Sequence, residues 1–253
     1  MILVRVPGTL QLATLPRALA IVATLLLPGM ASWAGEPATV ADLKPIAASY
    51  SAAMDKGLSL NGSARRTLEQ QPDGTWKYEF NVDSFIANIR ESVHFQWEAG
   101  RVVPLEYRYR LDGLIVRDRS RALNFNWPAE SMSGSYDGDG FTVPLASKAL
   151  DPLGFQLQLR QDLKAGKREM AYTVADEDDF EEDRFAVIGE ESQSTPFGDL
   201  ETVKVEKVRE ADSKRETLMW FAPELDYLLV RLIQVEPDGS RYEVRLEDAD
   251  LTD

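Results

Sequence analysis

Trp76-Lys77-Tyr78-Glu79-Phe80-Asn81-Val82 alternates apolar and polar side chains, and two stretches behind it do the same. Val93, Phe95 and Trp97 are interleaved with His94 and Gln96. Leu105, Tyr107, Tyr109 and Leu111 are interleaved with Glu106, Arg108 and Arg110. Period two sends successive side chains to opposite faces of a strand. Each stretch therefore has one dry, aromatic-rich face and one wet face, as in an antiparallel sheet covered on one side.

The same rhythm continues outward from this centre. Pro72-Asp73-Gly74 and Pro237-Asp238-Gly239 read as hairpin turns, because proline presets φ and glycine accepts positive φ. Strands are expected at 50–56, 60–70, 76–85, 93–97, 102–111 and 114–125, with a loop at 136–140. Further strands are expected at 168–175, 180–188, 200–209, 215–222 and 227–236, and a last one carries Tyr242, Val244 and Leu246. One segment breaks the period. Between Lys148 and Gly166, Leu150, Leu153, Leu157 and Leu163 fall near the helical repeat, with Asp151-Pro152 before them and Gly166 after. That pattern predicts one amphipathic helix with its cap, first-turn proline and terminating glycine. The expected fold is mainly β: a large antiparallel meander curled into an open or half-closed barrel, with the helix at its mouth.

The first residues read as an export leader. Arg5 and Arg17 precede or border the apolar run from Ala18 to Leu27, and Pro28-Gly29 ends it. A run of ten residues is short for a membrane span. Ser32-Trp33-Ala34 places small residues at the positions a signal peptidase reads, so cleavage is expected after Ala34. Residues 35–47 then read as a flexible linker and 48–253 as a single antiparallel β domain. The expected location is the periplasm.

The chain has no cysteine, so its stability rests on an apolar core rather than on disulfides. Its net charge is −14, and the leader removes two arginines and no acid. This argues against nucleic acid as a partner and against electrostatic docking to an anionic membrane, and no stable membrane insertion is expected after cleavage.

No residue set reads as catalytic. His94 is the single histidine, which leaves neither a metal cluster nor a Ser-His-Asp or Cys-His arrangement. No cofactor or metal is expected. The acidic run from Asp176 to Asp183 offers oxygen ligands to calcium but lacks the glycine and spacing of an EF-hand loop, so a solvated turn is the simpler reading. Gly138-Asp139-Gly140 opens no helix and is not a phosphate loop. Arg108, Arg110, Arg117, Arg119 and Arg121 read either as a basic stripe for an anionic group or as a solvent face paired with Glu106, Asp112 and Asp118.

The candidate ligand-binding surface is the aromatic face: Trp76, Tyr78 and Phe80, then Phe95 and Trp97, then Tyr107 and Tyr109. Arg108, Arg110 and Arg231 are the candidate polar contacts. Aromatics at strand spacing form either filled core or the lining of an apolar cavity, and both readings stay open here.

Toward the carboxyl end, Trp220-Phe221-Ala222-Pro223-Glu224-Leu225-Asp226-Tyr227 runs into Val230-Arg231 and then Glu236-Pro237-Asp238-Gly239. This block resembles the end of a proteobacterial periplasmic family known as domain of unknown function 3108. Pro104-Leu105-Glu106-Tyr107, Phe125-Asn126-Trp127, Asp151-Pro152-Leu153 and Thr195-Pro196-Phe197-Gly198 resemble it in the same order. One departure is Leu229, where the family often carries proline. The family brings no catalytic residues to transfer. A more distant resemblance is to the periplasmic lipoprotein carriers, whose half-open barrels enclose an apolar concavity, and this implies shape alone.

The expected function is therefore non-catalytic binding of a lipid or other apolar or amphipathic envelope molecule, as a carrier or chaperone. A protein-interaction or envelope-assembly factor that binds an envelope protein is the alternative. A hydrolase on a barrel scaffold is the third.

Overall fold

Period two governs the structure from Ile46 onward. The computed structural model describes residues 42–55, 59–114 and 116–251. The leader, its expected cleavage after Ala34 and the first part of the linker lie outside the described residues.

Eight strands come first: β1 (Ile46–Asp55), β2 (Ser59–Gln70), β3 (Trp76–Ser84), β4 (Ala87–Glu98), β5 (Arg101–Gly113), β6 (Arg119–Asn126), β7 (Ser131–Tyr136) and β8 (Asp139–Pro144). The helix α1 (Gly154–Lys164) follows. Six strands complete the chain: β9 (Glu169–Asp176), β10 (Asp179–Thr195), β11 (Gly198–Val208), β12 (Glu216–Ala222), β13 (Leu228–Val235) and β14 (Arg241–Leu251). All belong to one antiparallel 14-stranded sheet. Sequence neighbours pair as hairpins, and β1 pairs with β14, so the two halves of the meander join through the ends of the chain.

The sheet curls without closing, and its edges are β8 and β9. The chain between β8 and α1 covers part of the β9 edge. Leu150 N–H donates to the Thr173 carbonyl at 2.8 Å, and Ala175 N–H donates to the Leu150 carbonyl at 2.8 Å. Covering an edge removes a row of unpaired backbone groups that would otherwise attract another strand.

The turns obey the local chemistry. Gly74 and Gly239 adopt φ of 85° and 84°. Asp73 accepts from Thr75 N–H, and Asp238 accepts from Ser240 N–H.

The helix plugs one end of the curled sheet. Asp151 Oδ1 accepts from the N–H groups of Leu153 and Gly154 at 2.9 and 2.8 Å, satisfying donors that a helix start leaves open. Leu153, Leu157, Leu159 and Leu163 are buried. The polar side of the helix is buried too. Gln158 accepts from Val102 N–H and donates to the Gly100 carbonyl. Arg160 reaches Asp226 at 2.9 Å. Asp162 accepts from the Tyr172 hydroxyl at 2.8 Å. An amphipathic pattern thus marks a helix held on several sides rather than one lying on a surface.

Several expected boundaries are corrected. Leu43 and Ile46 are buried in the core, so the domain begins before residue 48 and these two residues do not belong to a linker. The strand expected at 114–125 begins only at Arg119, and the helix is shorter than 148–166. Residues 137–138 form the turn of an unanticipated hairpin, β7–β8. A bulge at Leu105 breaks the expected phase of β5. Phe95 pairs with Pro104 while His94 pairs with Glu106, so Val102 and Pro104 face inward before the bulge and Tyr107 after it.

Gly134 on β7 lies between Leu123 and Phe141. A Cβ there would sit 2.4 Å from the Ala122 carbonyl oxygen and 2.6 Å from Phe141 Cζ. Gly134→Ala is expected to cost about 1–3 kcal/mol, as overpacking does, read as a lower urea midpoint. An unchanged midpoint would show that β7 is free to move away from Phe141.

Candidate functional site

On several strands the inward phase changes from apolar to polar away from α1. On β6 it runs from Phe125 and Leu123 to Arg121; on β11, from Val203 and Val205 to Lys207, with Arg209 just past the strand end. On β12 it runs from Met219 to Thr217, with Arg215 just before the strand start; on β13, from Leu232 to Gln234. On β10 it passes from Phe185 to Asp183 and Glu181.

The polar members of these series, with Phe185, Met219 and Leu232, line a cavity of about 350 Å³ at the polar end of the sheet, where Phe155 and Gln156 of α1 close it from below. Its floor is apolar: Phe155 stacks on Phe185 at 5.3 Å, and Val174, Met219 and Leu232 complete it. Four cations line it, Arg121, Lys207, Arg209 and Arg215, against the acids Asp176, Glu181 and Asp183. In a chain of net charge −14, this is a concentration of cations, although acids outside the lining, Glu177 and Glu236, pair with two of them.

Most of these groups are tied down. Lys207 Nζ lies 2.5 Å from Asp183, Arg121 lies 3.3 Å from Asp176, and Arg215 lies 2.7 Å from Glu236. Arg209 differs. It donates to Thr217 Oγ1 at 3.2 Å, while its Nε is buried without a partner. Burial and the neighbouring Arg215 hold its pKa below the usual guanidinium value. It is the cation in the cavity with most to gain from an anion.

A buried polar cluster stands beside the cavity. Arg66 is 5% exposed, donates to the Tyr78 hydroxyl and to Gln156 Oε1, and lies 4.8 Å over the Phe80 ring. Gln156 also lines the cavity. The Tyr107 hydroxyl donates to Glu91 at 2.7 Å, and burial raises the Glu91 pKa.

The seven aromatics proposed from the sequence share one face of β3, β4 and β5. Trp76, Tyr78, Phe95 and Tyr107 are buried core side chains; Phe80, Trp97 and Tyr109 are partly buried against them. None lines the mouth cavity. Arg108 and Arg110 lie on the outer face, paired with Glu106 and Asp112 at 2.6 and 3.1 Å. Arg119 and Arg121 point inward, so the five arginines form no single stripe. Arg231 also lies away from the cavity. It stacks 4.9 Å over Trp220 and bonds Glu243 and Gln193, while Trp220 Nε1 donates to Glu191. The tryptophan of the carboxyl-terminal block is therefore an outer-face anchor for neighbouring strands. The acidic run divides: Asp176 meets Arg121, and Asp183 meets Lys207.

Sequence reasoning passed over Lys207, Arg209, Thr217 and Arg215. The signal was present, since Lys207 and Thr217 continue the inward phase of the apolar residues on β11 and β12, and Arg209 and Arg215 carry it one step past the strand ends.

A family model described as "Protein of unknown function (DUF3108)" matches residues 50–247, and the chain belongs to that family. A comparison with curated proteins finds no match. Among solved structures, a beta-barrel-like protein of domain of unknown function DUF1849 from Brucella abortus aligns with a TM-score of 0.58 at 12% identity. The alignment covers 83% of this chain and 99% of that one, a likeness of fold. A DUF1329 family protein from Desulfovibrio piger aligns over 82% of this chain and 85% of that one, at 10% identity. Its TM-score of 0.24 carries no structural argument.

Proposed function

We propose that this member of the DUF3108 family is a non-catalytic binding protein of the cell envelope. Its ligand is a single-chain amphipathic molecule with an anionic end. The observation that carries this reading is the mouth cavity, with its apolar floor and its cationic upper wall. Apolar surface supplies most of the affinity of such a site, and a few placed polar groups orient the ligand. At about 350 Å³ the cavity lies near the small end of ligand sites, which favours one chain over a two-chain phospholipid. Asp176 and Asp183 are engaged in ion pairs, an arrangement suited to holding a ligand rather than to proton transfer. The envelope location rests on the leader that ends in Ser32-Trp33-Ala34.

Each buried methylene contributes about 0.8 kcal/mol. Roughly eight of them reach micromolar affinity after association costs. Calorimetric titration with dodecyl phosphate is expected to saturate at one equivalent. Arg209→Gln is expected to weaken it at least tenfold, and dodecanol, which lacks the anion, to bind more weakly than dodecyl phosphate. Absence of saturable binding by dodecyl phosphate and laurate, with no amphiphile in the mass spectrum of purified protein, would overturn the reading.

A further inference from the structure

The two ends of the sheet contribute very unequally to the cavity. Its lining comes from β9, β10, β11, β12 and β13, from α1, and from residues adjoining them. Among the described residues, Arg121 on β6 is the one side chain from β1–β8 that reaches it. The sheet is open between β8 and β9, and Arg121 comes to the cavity from the β8 side of that seam.

The seam is crossed in two ways. The β9 edge is paired with Leu150 up to Ala175. Beyond that point the crossing is made by side chains. Arg121 lies 3.3 Å from Asp176, at the end of β9, and 3.7 Å from Glu177 in the turn that follows. Its guanidinium also lies 5.4 Å from the ring centroid of Tyr136 on β7. Glu177 adopts φ of 57°, a region that glycine enters more easily. The turn therefore holds a strained residue whose carboxylate meets Arg121. Both acids are about half exposed, and ion pairs to exposed carboxylates are weak. Such a contact closes a seam without locking it.

We propose that Arg121 is a gate on the cavity. Paired with Asp176 and Glu177, it closes the seam beside the end of β9. Released, it lets a chain pass between the two edges onto the apolar floor. The facing wall cannot yield in this way, because β9 to β13 are joined to one another strand by strand. The inference rests on the cavity being the ligand site, and it adds the route by which a ligand enters.

The chain has no cysteine, so one introduced thiol reports the opening without any ligand. Met219→Cys places the thiol on the cavity floor, with Leu232→Cys as a second floor position. Ala64→Cys places it in the core outside the cavity. Adding Arg121→Ala is expected to speed labelling of the floor thiol by uncharged N-ethylmaleimide at least tenfold, and to leave the core thiol unchanged. Stopped-flow mixing with dodecyl phosphate, followed by tryptophan fluorescence, gives a second readout on chains without cysteine. Arg121→Ala is expected to raise the association rate constant at least threefold, and so is Asp176→Asn combined with Glu177→Gln. A purely electrostatic effect on an anionic ligand would move these two variants in opposite directions. Loss of a ligand contact would act on the dissociation rate instead. Unchanged labelling on the floor, equal acceleration of floor and core thiols, or association rates that move apart would each overturn the gate. If dodecyl phosphate does not bind, the binding reading falls, and thiol labelling alone decides the gate.

Discussion

Replacing Leu157 by aspartate is expected to remove most of the stability of the fold. Leu157 is 1% exposed on α1, within the apolar set that includes Leu153, Leu159 and Leu163. Two losses combine. The leucine gives up its transfer free energy, about 1.5–3 kcal/mol for a fully buried aliphatic side chain. The carboxylate then enters an apolar contact, and burying an unpaired charge costs several kcal/mol more, even after its pKa rises to soften the penalty. A domain of ordinary stability has about 5–15 kcal/mol in total. A loss of at least about 4 kcal/mol is expected, measured by urea denaturation followed through tryptophan fluorescence. The helix also carries Gln158, Arg160 and Asp162 to buried partners, so its displacement would disturb contacts on β5, β9 and the turn at Asp226. A loss below about 1 kcal/mol would mean that α1 does not plug the sheet.

The helix was legible because Leu153, Leu157 and Leu163 break a long run of period two, although Leu150, which shares their spacing, lies outside the helix and pairs with β9. The central strands were legible for the same reason in reverse. β7 was not, since Ser131-Met132-Ser133-Gly134-Ser135-Tyr136 sends Met132 into the core and then Gly134, whose missing side chain makes room for Phe141. Such a strand is defined by what packs beside it. The bulge at Leu105 was equally hidden, because Leu105, Tyr107 and Tyr109 keep perfect alternation in sequence while the pairing slips beneath them. The union of β1 with β14 links residues at opposite ends of the domain, and no local pattern encodes it. The cavity was missed for a different reason. Lys207 shares the phase of Val203 and Val205 and Arg209 follows it past the strand end, but charged residues at the end of a strand carry no local sign that the phase faces inward. Polar residues in an inward phase mark where a curled sheet stops being core and becomes a mouth.

Asp151 is expected to make the protein more stable in mild acid than at neutral pH. Its side chain is 0% exposed. Burial pushes its pKa from 3.8 up to about 7, although hydrogen bonds from Gly154 and Leu153 pull the other way and the buried Glu91 adds repulsion. Oδ2 is buried and has no partner, so half of the carboxylate gains nothing from ionising. A folded-state pKa above the unfolded value means that the folded protein binds more protons between the two. Stability then falls as pH rises from about 4 to about 7, and the contribution levels off above that. Three pKa units correspond to about 4 kcal/mol as an upper bound for this one group. Asp151→Asn keeps an oxygen to accept from Leu153 and Gly154 while removing the charge. The variant is expected to lose ground to wild type in acid and to equal or exceed it at pH 8. Urea midpoints of both proteins between pH 4 and 8 provide the test. A stability difference that stays constant across that range would show that the buried carboxyl ionises as it does in the unfolded chain, with the two backbone donors outweighing its burial.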